Sequence, residues 1–445
     1  MGAKVLIVGG GFGGLNAAKA LSRHREIEIL VVDRRNHHLF QPLLYQVAMA
    51  ALSPADIAVP IRSILSGRPN VRVVLAEVSE IDFDKRQAKI GQKTESYDFL
   101  ILACGSRHSY FGHDDWEQDA PGLKTLEQAT EIRRRVLSAY EEAEAETNPV
   151  RQQDLLTFVV IGGGPTGVEL AGALAEISRS TLSRDFRNID PRNTRIILIE
   201  AGPRLIASFD PKLSVRAQSD LEQMGVQIRT SSRVSSVDHQ GVSLGTERIR
   251  AATVLWAAGV QPSSLNKKLQ AQLGVQLDRS GRVIVGEDLS LSAQGHSEVF
   301  VIGDQACFID TETGRPLPGL APIAIQQGKK TAANILKSLL RESRSPFCYL
   351  DKGQMATIGK RRAVAQVGRL RFGGGFAWLA WLFIHIYYLI GFRNRLLVLF
   401  QWAWNYFTSK RGARLIVPAF NETRFTETQK ETLPSSSKSP KISQG

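Results

Sequence analysis

The chain repeats itself, and that repetition constrains its fold more than any other feature. The first copy runs KVLIVGGGFGGLNAAKAL (4–21), EIEILVVDRR (26–35), VRVVLAEVSEID (71–82) and YDFLILACGS (97–106). The second runs TFVVIGGGPTGVELAGAL (157–174), TRIILIEAG (194–202), VQIRTSSRVSSVD (226–238) and ATVLWAAGV (252–260). Each copy reads as strand, glycine turn, helix, an acidic-ended strand, a third strand, and a strand ending in small residues. Continuous apolar runs such as Val5–Val8 and Val159–Ile161 suit parallel strands buried on both faces. Two doubly wound α/β units follow, and 445 residues at ordinary soluble composition can fill their cores. The 43% hydrophobic and 22% charged content excludes a disordered, collagenous or small disulfide-stapled chain.

Between the copies, Leu123–Glu146 reads as a helix that Asn148-Pro149 stops. Another buried strand lies in HSEVFVIGDQACF (296–308), followed by a helix over 320–340 and a β-like stretch over 350–368. The division expected is a discontinuous first unit (1–122 and 275–345), a second unit (123–274) and a C-terminal region (346–425). The polar tail 426–445 is expected to be disordered.

The turns carry chemistry. Gly9, Gly11 and Gly14, and again Gly162, Gly164 and Gly167, each follow a strand and open a helix. In this motif the first glycine makes the tight turn, the second lets a pyrophosphate approach, and the third lets helix and strand pack closely. Asp33 ends the second strand 19 residues after Gly14, where a carboxylate meets an adenosine ribose. Glu200 ends the matching strand 33 residues after Gly167, because the segment around Arg179–Asn193 is inserted. A carboxylate there accepts a ribose 2′-OH and repels a 2′-phosphate, so Glu200 predicts NADH over NADPH, with Arg204 nearby as a counterweight. Two dinucleotides imply a flavin plus a nicotinamide. Two roles stay open for Glu169, two residues past Gly167. It complements the helix dipole, worth under about 1 kcal/mol, or it stands beside the nicotinamide to orient the ring or relay a proton.

The charge is uneven. Of a net +13, residues 351–425 hold 12 Lys/Arg against Asp351 and Glu422. The same stretch carries four of the six tryptophans, Trp378, Trp381, Trp402 and Trp404. FAWLAWLFIHIYYLIGF (376–392) is 17 residues without a formal charge, and Leu396–Phe407 adds 12. The first is at the lower edge of spanning length. An in-plane hairpin fits better, with Trp and Tyr at the headgroup boundary and Arg and Lys on anionic lipid. A buried core hairpin or dimer interface is the alternative. No nucleic-acid partner is expected. Cys104, Cys307 and Cys348 lie far apart without a C-x-x-C pair, so neither a disulfide framework nor a metal site is expected. No basic region precedes an apolar one at the N-terminus, so no signal or transit peptide is expected.

These residues resemble the two-dinucleotide flavoprotein reductases with a glutathione-reductase-like fold, and specifically the type II NADH dehydrogenases, over roughly 1–420. GGGFGGL (9–15), QPLLYQVA (41–48), IGGGPTGVELAG (161–172), WAAGV (256–260), GDQA (303–306) and GFRNR (391–395) carry the likeness. The resemblance implies FAD on the first copy, NADH on the second, and a membrane quinone as acceptor with no proton pumping. It implies that Asp304, beside Gly303, holds the flavin ribitol, that Gln41 and Gly105 lie near the ring, and that Ala258-Gly259 borders the nicotinamide. The helix start at 321–327 looks like the family's quinone and flavin motif, with Ala324 near it. Pro322 stands where the family has a glutamine, which moves weight to Gln326 and Gln327. Lys360 either faces the quinone or is an ordinary surface lysine. The resemblance also implies a homodimer and a peripheral seat on the cytoplasmic face of a bacterial inner membrane. The rivals are a sulfide:quinone reductase, which needs paired cysteines at the flavin, and a membrane-bound flavin redox sensor.

Overall fold

Two parallel sheets with the same strand order make up the body of this computed structural model, which describes residues 2–408 and 411–416. The first sheet contains β1 (Lys4–Val8), β2 (Glu28–Asp33), β3 (Val71–Leu75) and β4 (Phe99–Leu102) in the order β3-β2-β1-β4. The second contains β5 (Thr157–Ile161), β6 (Arg195–Ile199), β7 (Val226–Arg229) and β8 (Thr253–Trp256) in the order β7-β6-β5-β8. The duplication read in the sequence is therefore a duplication of topology. The first sheet is extended beyond β4 by β9 (His296–Val301) in parallel, then by the antiparallel strand Ser290–Leu291. β5 is buried along its whole length, as its unbroken apolar run requires.

Five helices place the site. After β1 comes α1 (Phe12–Leu21), then a short α2 (Leu44–Ala48) and a long α3 (Leu126–Ala145). After β5 comes α4 (Pro165–Glu176), and after β9 comes α5 (Ala321–Leu339). One expectation needs correction. Asn148-Pro149 does not only stop α3; it opens a new helix, Pro149–Leu155, because the Asn148 side chain accepts from the N–H groups of Val150 and Arg151.

The C-terminal region is a three-stranded antiparallel sheet, β10 (Gln354–Gly359), β11 (Arg362–Val367) and β12 (Leu370–Gly373), followed by α6 (Gly375–Tyr388) and α7 (Phe392–Thr408). Small residues let α6 lie close on β11: Ala363, Ala365 and Ala377 are all buried together. Trp381 on α6 meets Trp402 on α7 at a ring separation of 5.4 Å. Asn394 on α7 donates to the carbonyls of Ala55 and Asp56 at 3.1 and 3.0 Å, fastening the hairpin to the first unit. The tail expected over 426–445 lies outside the described residues.

Two further glycines set how the parts dock. A Cβ on Gly328 of α5 would stand 2.2 Å from the Gly13 carbonyl oxygen of α1, and one on Gly172 of α4 would stand 1.8 Å from that of Ile358 on β10. Gly172→Ala therefore overpacks the joint between the second unit and the C-terminal sheet, at a cost of roughly 1–3 kcal/mol. A thermal melt should show a melting temperature several degrees lower, whereas Gly67→Ala, which faces open space, should melt like the unaltered chain.

Candidate functional site

Each glycine turn is fastened by its own carboxylate. Asp33 Oδ2 accepts from Gly10 N–H at 2.6 Å, and Oδ1 accepts from Arg35 N–H at 2.7 Å. Glu200 does the same in the second copy, accepting from Gly163 N–H and Gly202 N–H, each at 2.6 Å. One backbone donor per oxygen leaves lone pairs free for a ribose hydroxyl. Gly9 and Gly162 have φ of +106° and +110°, a left-handed conformation that favours glycine. A Cβ on Gly14 would stand 1.9 Å from the Gly9 carbonyl oxygen, and one on Gly167 would stand 1.8 Å from that of Gly162. Gly11 and Gly164 have nothing within 4 Å at the Cβ position, which is the space a pyrophosphate needs above a helix N-terminus. Both cradles fit a dinucleotide. Arg204 is no counterweight to Glu200 in this arrangement: its guanidinium donates to the carbonyls of Ala207 and Phe209 in its own loop.

The rest of the first site gathers around Gly303 and Asp304. Asp304 Oδ2 accepts from Ser106 Oγ at 2.6 Å and lies 3.4 Å from Lys124 Nζ, while its Oδ1 accepts from no described residue. Gln41 donates to the Lys124 carbonyl at 3.1 Å, and Gly105, with φ of +67°, closes the same loop cluster. Ala324 is buried beside Gly303. Gln327 is also buried, and its Oε1 accepts from Gly303 N–H at 2.7 Å. Gln326 makes a reciprocal pair with the Leu350 backbone, both bonds at 3.0 Å. Both carboxamides thus shape the backbone. At the second site Gly259 has φ of +67°, and a Cβ there would lie 2.6 Å from the Phe111 ring. Ala258 stands next to it, partly buried.

A cavity of about 570 Å³ opens between α2, α4, β10 and the α6–α7 hairpin. Glu169 lines it, one turn into α4. Desolvation pushes its carboxyl up to about 8, opposed by a hydrogen bond from the Thr357 backbone. Lys360 lines the same cavity, its Nζ donating to the Tyr406 carbonyl at 2.6 Å and lying 4.1 Å from the Tyr406 ring centre. Gln326 and Gln327 are not among its lining residues.

Sequence reasoning missed several of the walls. Tyr45 and Gln46 belong to a stretch marked only by its resemblance, QPLLYQVA. Arg411 carried no local signal at all. Its guanidinium reaches Met49 O at 2.7 Å and Glu176 Oε2 at 3.1 Å, a partner distant in sequence. Cys104 is partly buried, and desolvation pushes its thiol to about 12; it, Cys307 and Cys348 are all free. Thiolate chemistry at a flavin lacks the paired cysteines it needs. Replacing Glu200 with Gln should cut kcat/KM for NADH about tenfold and leave NADPH nearly untouched, narrowing the preference measured with the two nucleotides side by side.

Residues 3–328 match the pyridine nucleotide-disulphide oxidoreductase family and residues 352–411 match the NDH2 C-terminal domain. Type II NADH:quinone oxidoreductase NdhA of Mycobacterium tuberculosis is 43% identical over 443 residues, spanning 96% of this chain and 92% of that protein. The type II NADH:quinone oxidoreductase of Staphylococcus aureus is 30% identical over 371 residues, covering 82% of this chain and 89% of that one. NDH2 from Plasmodium falciparum, solved in complex with NADH, shares the fold with a TM-score of 0.85 at 18% identity, over 94% of this chain and 100% of that one. On the strength of these matches, the chain belongs to the type II NADH:quinone oxidoreductase family.

Proposed function

We infer that this chain oxidises NADH and delivers two electrons to a membrane quinone without pumping protons. The observation that carries the reading is the cavity, which runs from Glu169, in the first turns of the NADH-side helix, to the aromatic C-terminal hairpin. FAD, the family's flavin cofactor, supplies when bound a hydride acceptor that can pass electrons on to a quinone. In this reading 1–122 with 275–345 hold the flavin nucleotide, 123–274 hold NADH, and 346–425 give access to quinone. Gly9, Gly11, Gly14 and Asp33 bind the flavin's adenosine diphosphate part; Gly303 and Asp304 take the ribitol; Gln41, Gly105 and Ala324 border the ring. Gly162, Gly164, Gly167, Glu200, Ala258 and Gly259 hold NADH. Gln327 and Gln326 act as positioning residues, through Gly303 and Leu350.

Glu169 is the proton source in this proposal, with Lys360 on the same wall. With its carboxyl raised to about 8, it keeps its proton at pH 7 and loses the donor form as pH rises through that value. Quinone reduction should therefore fall above about pH 8. Glu169→Gln should lower kcat by roughly 100-fold and flatten that limb of a pH–rate profile.

Type II NADH dehydrogenases are membrane-associated. No helix among the described residues is long and apolar enough to cross a membrane. Instead α6 exposes Phe376, Leu379, Phe383 and Tyr387, and α7 exposes Phe392, Leu396, Phe400, Trp404 and Phe407. That three-to-four spacing makes one outward stripe per helix, which supports an in-plane seat. Arg369 and Arg393 are exposed and pair with no side chain among the described residues, and are offered to anionic lipid. Arg371 and Arg362 are committed internally, to Asp210 at 3.2 Å and to the Asp220 carbonyl at 2.8 Å. The cytoplasmic face of a bacterial inner membrane is proposed because NADH is a cytoplasmic substrate and basic flanks prefer that face. A homodimer is proposed on family likeness and checked by molar mass in detergent.

Anaerobic mixing with NADH should bleach the flavin, and a quinone should restore it repeatedly; a redox sensor would stop after about one turnover. Phe383→Asp, at a side chain 73% exposed, should fold normally yet release the chain from pelleted vesicles.

A further inference from the structure

The Trp402 indole can only donate a hydrogen bond. Its Nε1 lies 2.7 Å from Gln46 Oε1, so the amide oxygen faces Trp402 and the amide nitrogen faces the other way. That nitrogen donates to the Tyr45 hydroxyl oxygen at 2.9 Å. With its oxygen accepting from Gln46, the phenol turns its own hydrogen elsewhere, and no described group accepts it. Tyr45, Gln46 and Trp402 all line the cavity. A second donor in the same lining is Trp381 Nε1, buried and without an acceptor among the described residues. Unpaired buried donors are costly, and a wall that carries two of them is suited to a ligand that brings acceptors. A quinone ring is such a ligand, with two carbonyl oxygens and no donor.

We propose that the Tyr45 hydroxyl is the hydrogen-bond donor that holds a quinone carbonyl oxygen, its direction set by Gln46 and Trp402. This rests on the quinone reading of the cavity. Burial first, then the nearby charge of Glu169, raise the Tyr45 hydroxyl well above the ordinary phenol range, so the donor keeps its hydrogen throughout the working pH range. Trp402 stands on α7, one of the two helices with an outward apolar stripe. The seat of that helix thereby sets the direction of a hydroxyl in the first unit.

The test uses the full FAD-loaded chain in lipid, with decylubiquinone and menadione as probes. Binding is read by quenching of tryptophan fluorescence without NADH, and turnover by separate kcat and KM. Tyr45→Phe removes only the hydroxyl and should raise Kd and quinone KM about tenfold. Gln46→Leu leaves the hydroxyl but frees its direction, and should raise KM about threefold. Unchanged Kd and KM in Tyr45→Phe overturn the proposal. If that variant loses its flavin spectrum and so fails to fold, Gln46→Leu decides, and an unchanged KM there overturns it. Leu382→Trp, which fills the cavity from α6, separates the two readings. Should Leu382→Trp block quinone while Tyr45→Phe does not, only the Tyr45 role falls. Should Leu382→Trp leave quinone turnover intact, the cavity is not the quinone site.

Discussion

Contact of backbone with backbone at the two glycine turns is the constraint on which the rest of the structure depends. The helix after each strand must start so close to the strand end that no Cβ fits at Gly14 or Gly167. That closeness points helix N–H groups at one open spot above Gly11 or Gly164, and the carboxylates of Asp33 and Glu200 hold the turn from the adjoining strand. Because the same geometry occurs twice, one chain holds two nucleotide cradles of like build. Close approach also governs docking: Gly328 lets α5 settle on α1, and Gly172 lets β10 settle on α4.

The cavity is a consequence of that second docking. With β10 against α4, α7 bolted through Asn394 and Trp402 to the segment around 46–56, and Arg411 beyond α7 bound to Met49, space remains between the elements where neither can advance. Glu169, partly buried, sits in that space, and what pushes its carboxyl up is desolvation rather than a charged neighbour. Arg411 and Glu176 close one side as a half-buried pair, which holds the end of the described chain to the NADH-side helix. A single cavity thus joins Glu169 to the two C-terminal helices.

The sequence was most informative where geometry is local. A glycine at a strand–helix joint, a carboxylate at a strand end and an unbroken apolar run are each read within a few residues, because the backbone conformations they serve are local. Even there the reading had limits. Asn148-Pro149 was legible as a stop but not as a start, since an Asn followed by Pro suits both ends of a helix. Gln326 and Gln327 were legible as polar residues at a helix start; that their amides bind Leu350 and Gly303 depends on chain far away.

By itself the sequence determined two glycine-turn nucleotide cradles, each with a carboxylate at the adjoining strand end, and an aromatic, basic C-terminal region. Tertiary structure alone decided which arginines of that C-terminal region remain outside and which are committed to Asp210, Glu176 and backbone carbonyls. It alone put Tyr45, Gln46 and Trp402 in one hydrogen-bonded line. The reason is physical. Patterning records what a residue needs from its immediate backbone and from water, whereas a buried hydrogen bond between residues hundreds of positions apart leaves no period in the sequence.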